Sequence, residues 1–187
     1  IMESLIESGM FAGVLDVTTT EWADELVGGI LTAGPHRLEA AALYGVPAVV
    51  APGCLDMVNF GAPESVPAKF SGRNFYQHNP QVTLMRTTVG ECQQLGRILA
   101  EKVNLSTGKV TVLLPSRGIS MLSAPGQPFH DPAADKALFD AIRQTLKPNF
   151  DCEVVDYAIN DTAFAELSVE SLLHNMRGQP NRKLTER

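Results

Sequence analysis

The sequence predicts an α/β fold: three layers, with a mainly parallel sheet of about four strands flanked by helices, in the Rossmann-like manner. Three observations carry this. Four short β-rich runs stand out at residues 13–17, 46–52, 110–115 and 152–159. The first three are nearly continuous in apolar residues, as expected of strands covered on both faces, whereas half-exposed strands alternate. Punctuated helical patterns lie between the runs, and strand alternating with helix is the order of a layered α/β domain.

Taken in order, the chain opens inside a short helix, with Met2, Leu5 and Ile6 on one side and Gly9 closing it. After the first strand, residues 21–30 and 35–44 read as two helices joined through Thr32-Ala33-Gly34. The second strand leads into residues 53–79, where Gly53, Gly61, Pro63, Pro67 and Gly72 exclude a continuous helix. A loop of that size is often a functional cover. Asn79 before Pro80 predicts a helix start, and Thr88-Val89-Gly90-Glu91 reads as a capping box, followed by Cys92, Leu95, Leu99 and Val103 at helical spacing. Asp131-Pro132 opens a helix with Leu138, Ala141, Ile142 and Leu146 as its stripe, and Asp161 caps the last one, through Phe164, Leu167, Leu172 and Met176. The expected organisation is a single α/β domain over residues 1–177, the second half of a longer two-half protein, with 178–187 a polar tail or linker.

Composition narrows the function classes. Of 187 residues, 44% are hydrophobic and 19% charged, the balance of a water-soluble chain. Fifteen basic against twenty-one acidic residues give a net charge of −6, without a concentrated basic patch, so neither nucleic acid nor a membrane is expected as partner. Cys54, Cys92 and Cys152 lack zinc-site spacing, which predicts reduced thiols, no metal and a cytoplasmic location.

Unusual polar residues gather after the strands. In a parallel sheet all strand exits open on one edge, and ligands bind in the crevice outside the carboxyl ends. After the first strand, Asp16 is followed by Thr18, Thr19 and Thr20. Their hydroxyls suit a phosphate or carboxylate near the start of a helix, and they equally suit capping and a tight turn. Asp56 and Asn59 share a face if LDMVNFG forms a helical turn, offering an acceptor and an amide; the carboxylate alternatively caps its own turn. In HNPQVTLMRTT, His78 is a candidate acid or base, or a turn residue, and Arg86 a candidate bidentate anion binder. Gly118 and Ser120 follow the third strand, where glycine lets backbone approach a ligand, although neither a Walker loop nor a dinucleotide fingerprint is present.

The strings GVLDVTTTEWADELVGG, LDMVNFG, HNPQVTLMRTTVGE, APGQPFHDPAAD and IND, in this order, resemble the tomato mosaic virus resistance protein-like family of mostly uncharacterised proteins, often described as having an ATP-binding domain. The resemblance covers about residues 1–176. It implies that this chain corresponds to the C-terminal half, that a Gly-rich nucleotide segment lies in an N-terminal half, and that a cleft forms between the two. Ser123 and Gln77 stand where relatives usually carry Asp and Glu.

The leading expectation is a domain binding ATP, another nucleotide or another phosphorylated or carboxylated small molecule at the strand edge. A missing N-terminal half or a neighbouring subunit of a homo-oligomer would complete it. The alternative is a structural and interaction module whose polar loops cap helices and build a subunit interface, without catalysis.

Overall fold

The computed structural model describes residues 1–177; the expected polar tail at 178–187 lies outside the described residues. Four parallel strands, β1 (Val14–Thr18), β2 (Ala48–Gly53), β6 (Val110–Pro115) and β7 (Asp151–Val155), form one sheet in the order β1-β2-β6-β7. The expected α/β class is therefore present. As the apolar runs predict, β2 and β6 are buried at every position.

The order advances in one direction only, so right-handed crossovers place every connecting helix on one face. On that face α4 (Val89–Val103) and α5 (Pro132–Thr145) pack along each other. Beside them lie α1 (Met2–Glu7), α2 (Glu21–Val27) and α3 (Glu39–Leu43). Alternate residues of the strands divide accordingly. Val14, Val50, Val112 and Leu114 join the large core under these helices, while Val49, Ala51 and Leu113 face Phe164 of α6 (Thr162–Met176) on the other side. Asn175 of α6 is buried and donates to the Ala48 carbonyl and to Thr111 Oγ1, which locks the third layer to the two central strands.

Helix starts follow their signals. Thr88 Oγ1 accepts the Glu91 N–H at 3.2 Å, and the Glu91 carboxylate accepts the Thr88 N–H at 2.7 Å. Asp131 accepts the N–H groups of Ala133 and Ala134. Asp161 stands at the N-cap of α6, but its carboxylate accepts the Ala158 N–H instead and so ties the preceding loop. The two helices expected at 21–30 and 35–44 are shorter; α3 begins only at Glu39, after a turn.

One region departs from expectation. Residues 53–86 contain a second sheet, antiparallel, in the order β3-β5-β4: β3 (Met57–Phe60), β4 (Phe75–Asn79) and β5 (Val82–Arg86). The stretch LDMVNFG is thus a strand rather than a helical turn. The expected helix opening at Asn79-Pro80 is instead the turn of a hairpin, where Asn79 Oδ1 accepts the Gln81 N–H at 2.8 Å. Asn and Pro serve turns as well as helix starts, and the pairing of β5 with both neighbours outweighs the local cap signal. Among the described residues no helix is long and apolar enough to cross a membrane.

Candidate functional site: the carboxyl rim and its cleft

All four parallel strands exit on one edge, and the chain laces those exits together in sheet order. Thr19 donates its N–H to the Gly53 carbonyl at 3.0 Å and its hydroxyl to the Ala51 carbonyl at 3.2 Å. Cys54 N–H donates to the Ile119 carbonyl, Ser120 Oγ donates to Asp56 Oδ2 at 2.6 Å, and Ile159 N–H donates to the Gly118 carbonyl. Gly53 fits only as glycine: a Cβ there would lie 2.1 Å from the Val17 carbonyl oxygen. Gly118 has φ +139°, and a Cβ would meet the backbone of Ala124 at 3.1 Å.

Most of the candidate residues are spent within the protein. Asp16 is buried and receives both terminal nitrogens of Arg37, at 2.5 and 2.6 Å. Burial opposes charge on Arg37, but Asp16 outweighs it and holds the guanidinium charged, its pKa above the ordinary value. Glu3 of α1 accepts from the same Arg37 and from the N–H groups of Leu38 and Ala40 at the start of α3. Asn59 donates through its backbone and its amide to the two oxygens of Asp24, fastening β3 to α2, with Thr20 Oγ1 at 3.4 Å from the same amide. Arg86, also buried, donates to the Phe129 carbonyl, to Thr87 Oγ1 and, at 2.6 Å, to Asp135 of α5. Thr18 is exposed, its carbonyl accepting from Arg37. His78 lies exposed on β4, its ring 6.5 Å from that of Tyr76.

The structure thus brings Asp56 to Ser120 and, through its carbonyl at 3.5 Å, to Arg86, and Asn59 to Thr20. Asp16, Asn59 and Arg86 are held by residues that the sequence reading passed over, Arg37, Asp24 and Asp135, while Thr19 is held by strand carbonyls and His78 stands apart. Arg37 carries no local signal, because its partner lies 21 positions away. Asp24 carries none either, since its partner Asn59 lies 35 positions on.

Asp56 differs from the rest. It is fully buried, its Oδ1 makes no hydrogen bond among the described residues, and burial pushes its pKa up to about 6 against the pull of Ser120 and Arg86. Burial, helped by Asp56, also pushes the Cys54 thiol up to about 12, so this cysteine is protonated. No group of three or more His, Cys, Asp or Glu positioned to hold a metal occurs among the described residues.

Beside the laced rim a cleft of about 330 Å³ opens between the β6 exit, the loop through His130 and one face of α5. Gly118 borders it, as do Ser116, Ser123 and His130. The His130 Nδ1 lies 3.1 Å from the Ser123 carbonyl, which can only accept, so Nδ1 carries the proton and Nε2 is left over.

Residues 1–176 match the model of the uncharacterised protein family UPF0261, C-terminal domain. The chain belongs to the UPF0261 family. It is 48% identical over 176 residues to a UPF0261 protein of Clostridium tetani, covering 94% of this chain and 44% of that protein. It is 49% identical over 170 residues to a UPF0261 protein of Rhizobium meliloti, covering 90% and 43%. The ToMV resistance protein Tm-1 of Solanum lycopersicum is 44% identical over 174 residues, 92% of this chain and 23% of the tomato protein. The corresponding ToMV susceptible protein gives the same 44%, so likeness in this region does not separate resistance from susceptibility. This UPF0261 chain therefore spans less than half the length of these relatives.

Proposed function

We propose that this UPF0261 domain binds a small anionic molecule, a nucleotide such as ATP or another phosphorylated or carboxylated metabolite, at the carboxyl edge of its parallel sheet. The remainder of the longer protein, or a neighbouring copy in a homo-oligomer, would complete the site. The observation that carries this reading is the open cleft at the β6 exit, on the edge where parallel sheets of this kind seat ligands.

The winding supports further strands in the remainder of the longer protein, at the β1 edge of the sheet and not at the β6 cleft. Ligands of doubly wound sheets sit where the strand order reverses. Here the order runs one way from β1 to β7, so a reversal requires further strands beside β1. On β1, Leu15 keeps 38% of its surface exposed on the face that only α6 covers. A one-way half-sheet is what one mononucleotide-binding half looks like.

The alternative, an interaction module without a ligand, is favoured by the internal pairing of Asp16, Asn59 and Arg86. Thermal unfolding with AMP, ATP, inorganic phosphate and citrate separates the two. A ligand at about 100 times its Kd stabilises the folded form by about 2.7 kcal/mol, which raises the melting temperature by several degrees. Stabilisation by one of these anions is expected; its absence in both this chain and a full-length family member favours the interaction module.

A further inference from the structure

We infer that the cleft at the β6 exit takes a compact anion with an apolar body, a single ring or short chain carrying one phosphate or carboxylate, and that Arg143, Lys136 and Arg117 hold its charge. This rests on the anion-binding reading above and names the ligand class.

Size sets the first limit. At about 330 Å³ the cleft lies at the low end of the range for small-molecule sites, roughly 300–1,000 Å³. One ring with one anionic group fills such a space; a whole nucleoside triphosphate would extend beyond it.

Charge sets the second. The chain carries a net −6, yet three permanent cations line this concavity against the two carboxylates Asp135 and Asp140. Asp135 is already neutralised from behind by Arg86. Lys136 pairs with Asp140 and Arg117 with Asp156, both pairs well exposed and therefore worth little, so either cation can turn to a ligand at small cost. Arg143 is exposed and carries no ion pair among the described residues. The cations lining this concavity outnumber its carboxylates by one in a chain of net −6, and a local excess of positive charge concentrates anions.

The third limit is the wall. Phe139 of α5 and Val154 of β7 line the cleft, and Val154 stays 51% exposed although its neighbours on β6 are fully buried. Apolar surface beside cations suits a ligand with an apolar body rather than a bare inorganic ion. The Nε2 of His130, left over by the contact of Nδ1 with the Ser123 carbonyl, adds one polar atom that a ligand can meet.

The test is calorimetric titration of the 187-residue chain with phenyl phosphate, benzoate, inorganic phosphate and ATP, for wild type, Arg143→Glu and Val154→Asp. Both substituted side chains are exposed, and unchanged circular dichroism confirms folding. Phenyl phosphate or benzoate should bind at least tenfold more tightly than inorganic phosphate, and each substitution should weaken that binding at least tenfold. Equal affinity for phenyl phosphate and inorganic phosphate, or wild-type affinity in both variants, overturns the inference. If ATP or phosphate binds and ignores both substitutions, the seat lies elsewhere on the rim; this inference then fails while the anion reading stands. If no anion binds this chain or a full-length family member, both fail.

Discussion

Asp16 and Asp56 sit near the ends of neighbouring strands, both buried, and are held in opposite ways. Asp16 faces a guanidinium with both oxygens; Asp56 receives one serine hydroxyl and leaves its second oxygen bare. The first arrangement is a closed ionic joint between β1 and the turn before α3. The second is a joint between β2 and the β6 loop that works best uncharged. Burial raises the pKa of both carboxylates, against the pull of Arg37 at Asp16 and of Ser120 and Arg86 at Asp56, so the two joints differ in their partners, a guanidinium clamp in one place and a single hydroxyl contact in the other.

The largest effect should come from breaking the clamp. Asp16→Ala leaves Arg37 buried without its main partner, and urea denaturation should show a loss of about 3–5 kcal/mol. Replacing both partners by apolar residues, Asp16→Leu with Arg37→Met, should recover a substantial part of it. Recovery of nothing would mean that Arg37 matters through Glu3 and Thr18 instead.

Asp56 should respond to pH with the opposite sign from an ordinary ion-paired carboxylate. Its folded pKa, about 6, lies above the unfolded value near 4. Its contribution is therefore fully present below about pH 4 and lost as pH rises through about 6, an effect on the order of 2–3 kcal/mol. In Asp56→Asn that slope should vanish, so that the variant gains on wild type between pH 4.5 and pH 8 in unfolding experiments. A wild type whose stability rises across this window at the expense of the variant would contradict the assignment.

Smaller effects sharpen the contrast. Thr88→Ala removes one half of the capping box of α4 and should cost about 1 kcal/mol. Arg143→Glu, in the open cleft, should change stability by no more than about 0.5 kcal/mol while altering anion binding.

How much of this was legible beforehand follows from the range of each interaction. The parallel sheet was, because Val49, Val50 and Leu113 declare double burial by their own composition. The caps at Thr88 and Asp131 were, because their partners lie two or three residues away. The second sheet was not: the pattern around Asn79-Pro80 serves a helix start as well as a hairpin, and only the pairing of β5 with β3 and β4 decides. At the candidate site the polar residues were visible but not their tasks. Arg86 looks the same in sequence whether it meets a phosphate or Asp135, 49 positions on.

The division between a closed rim and an open cleft is tested most directly by amide chemical-shift mapping during titration with phenyl phosphate. The account predicts shifts concentrated at Ser116–Gly118, His130, Lys136–Arg143 and Val154, with Thr18–Thr20 and Asp56–Asn59 unmoved. Shifts confined to Thr18–Thr20 and Asp56–Asn59, or no saturable shifts at all, would contradict it.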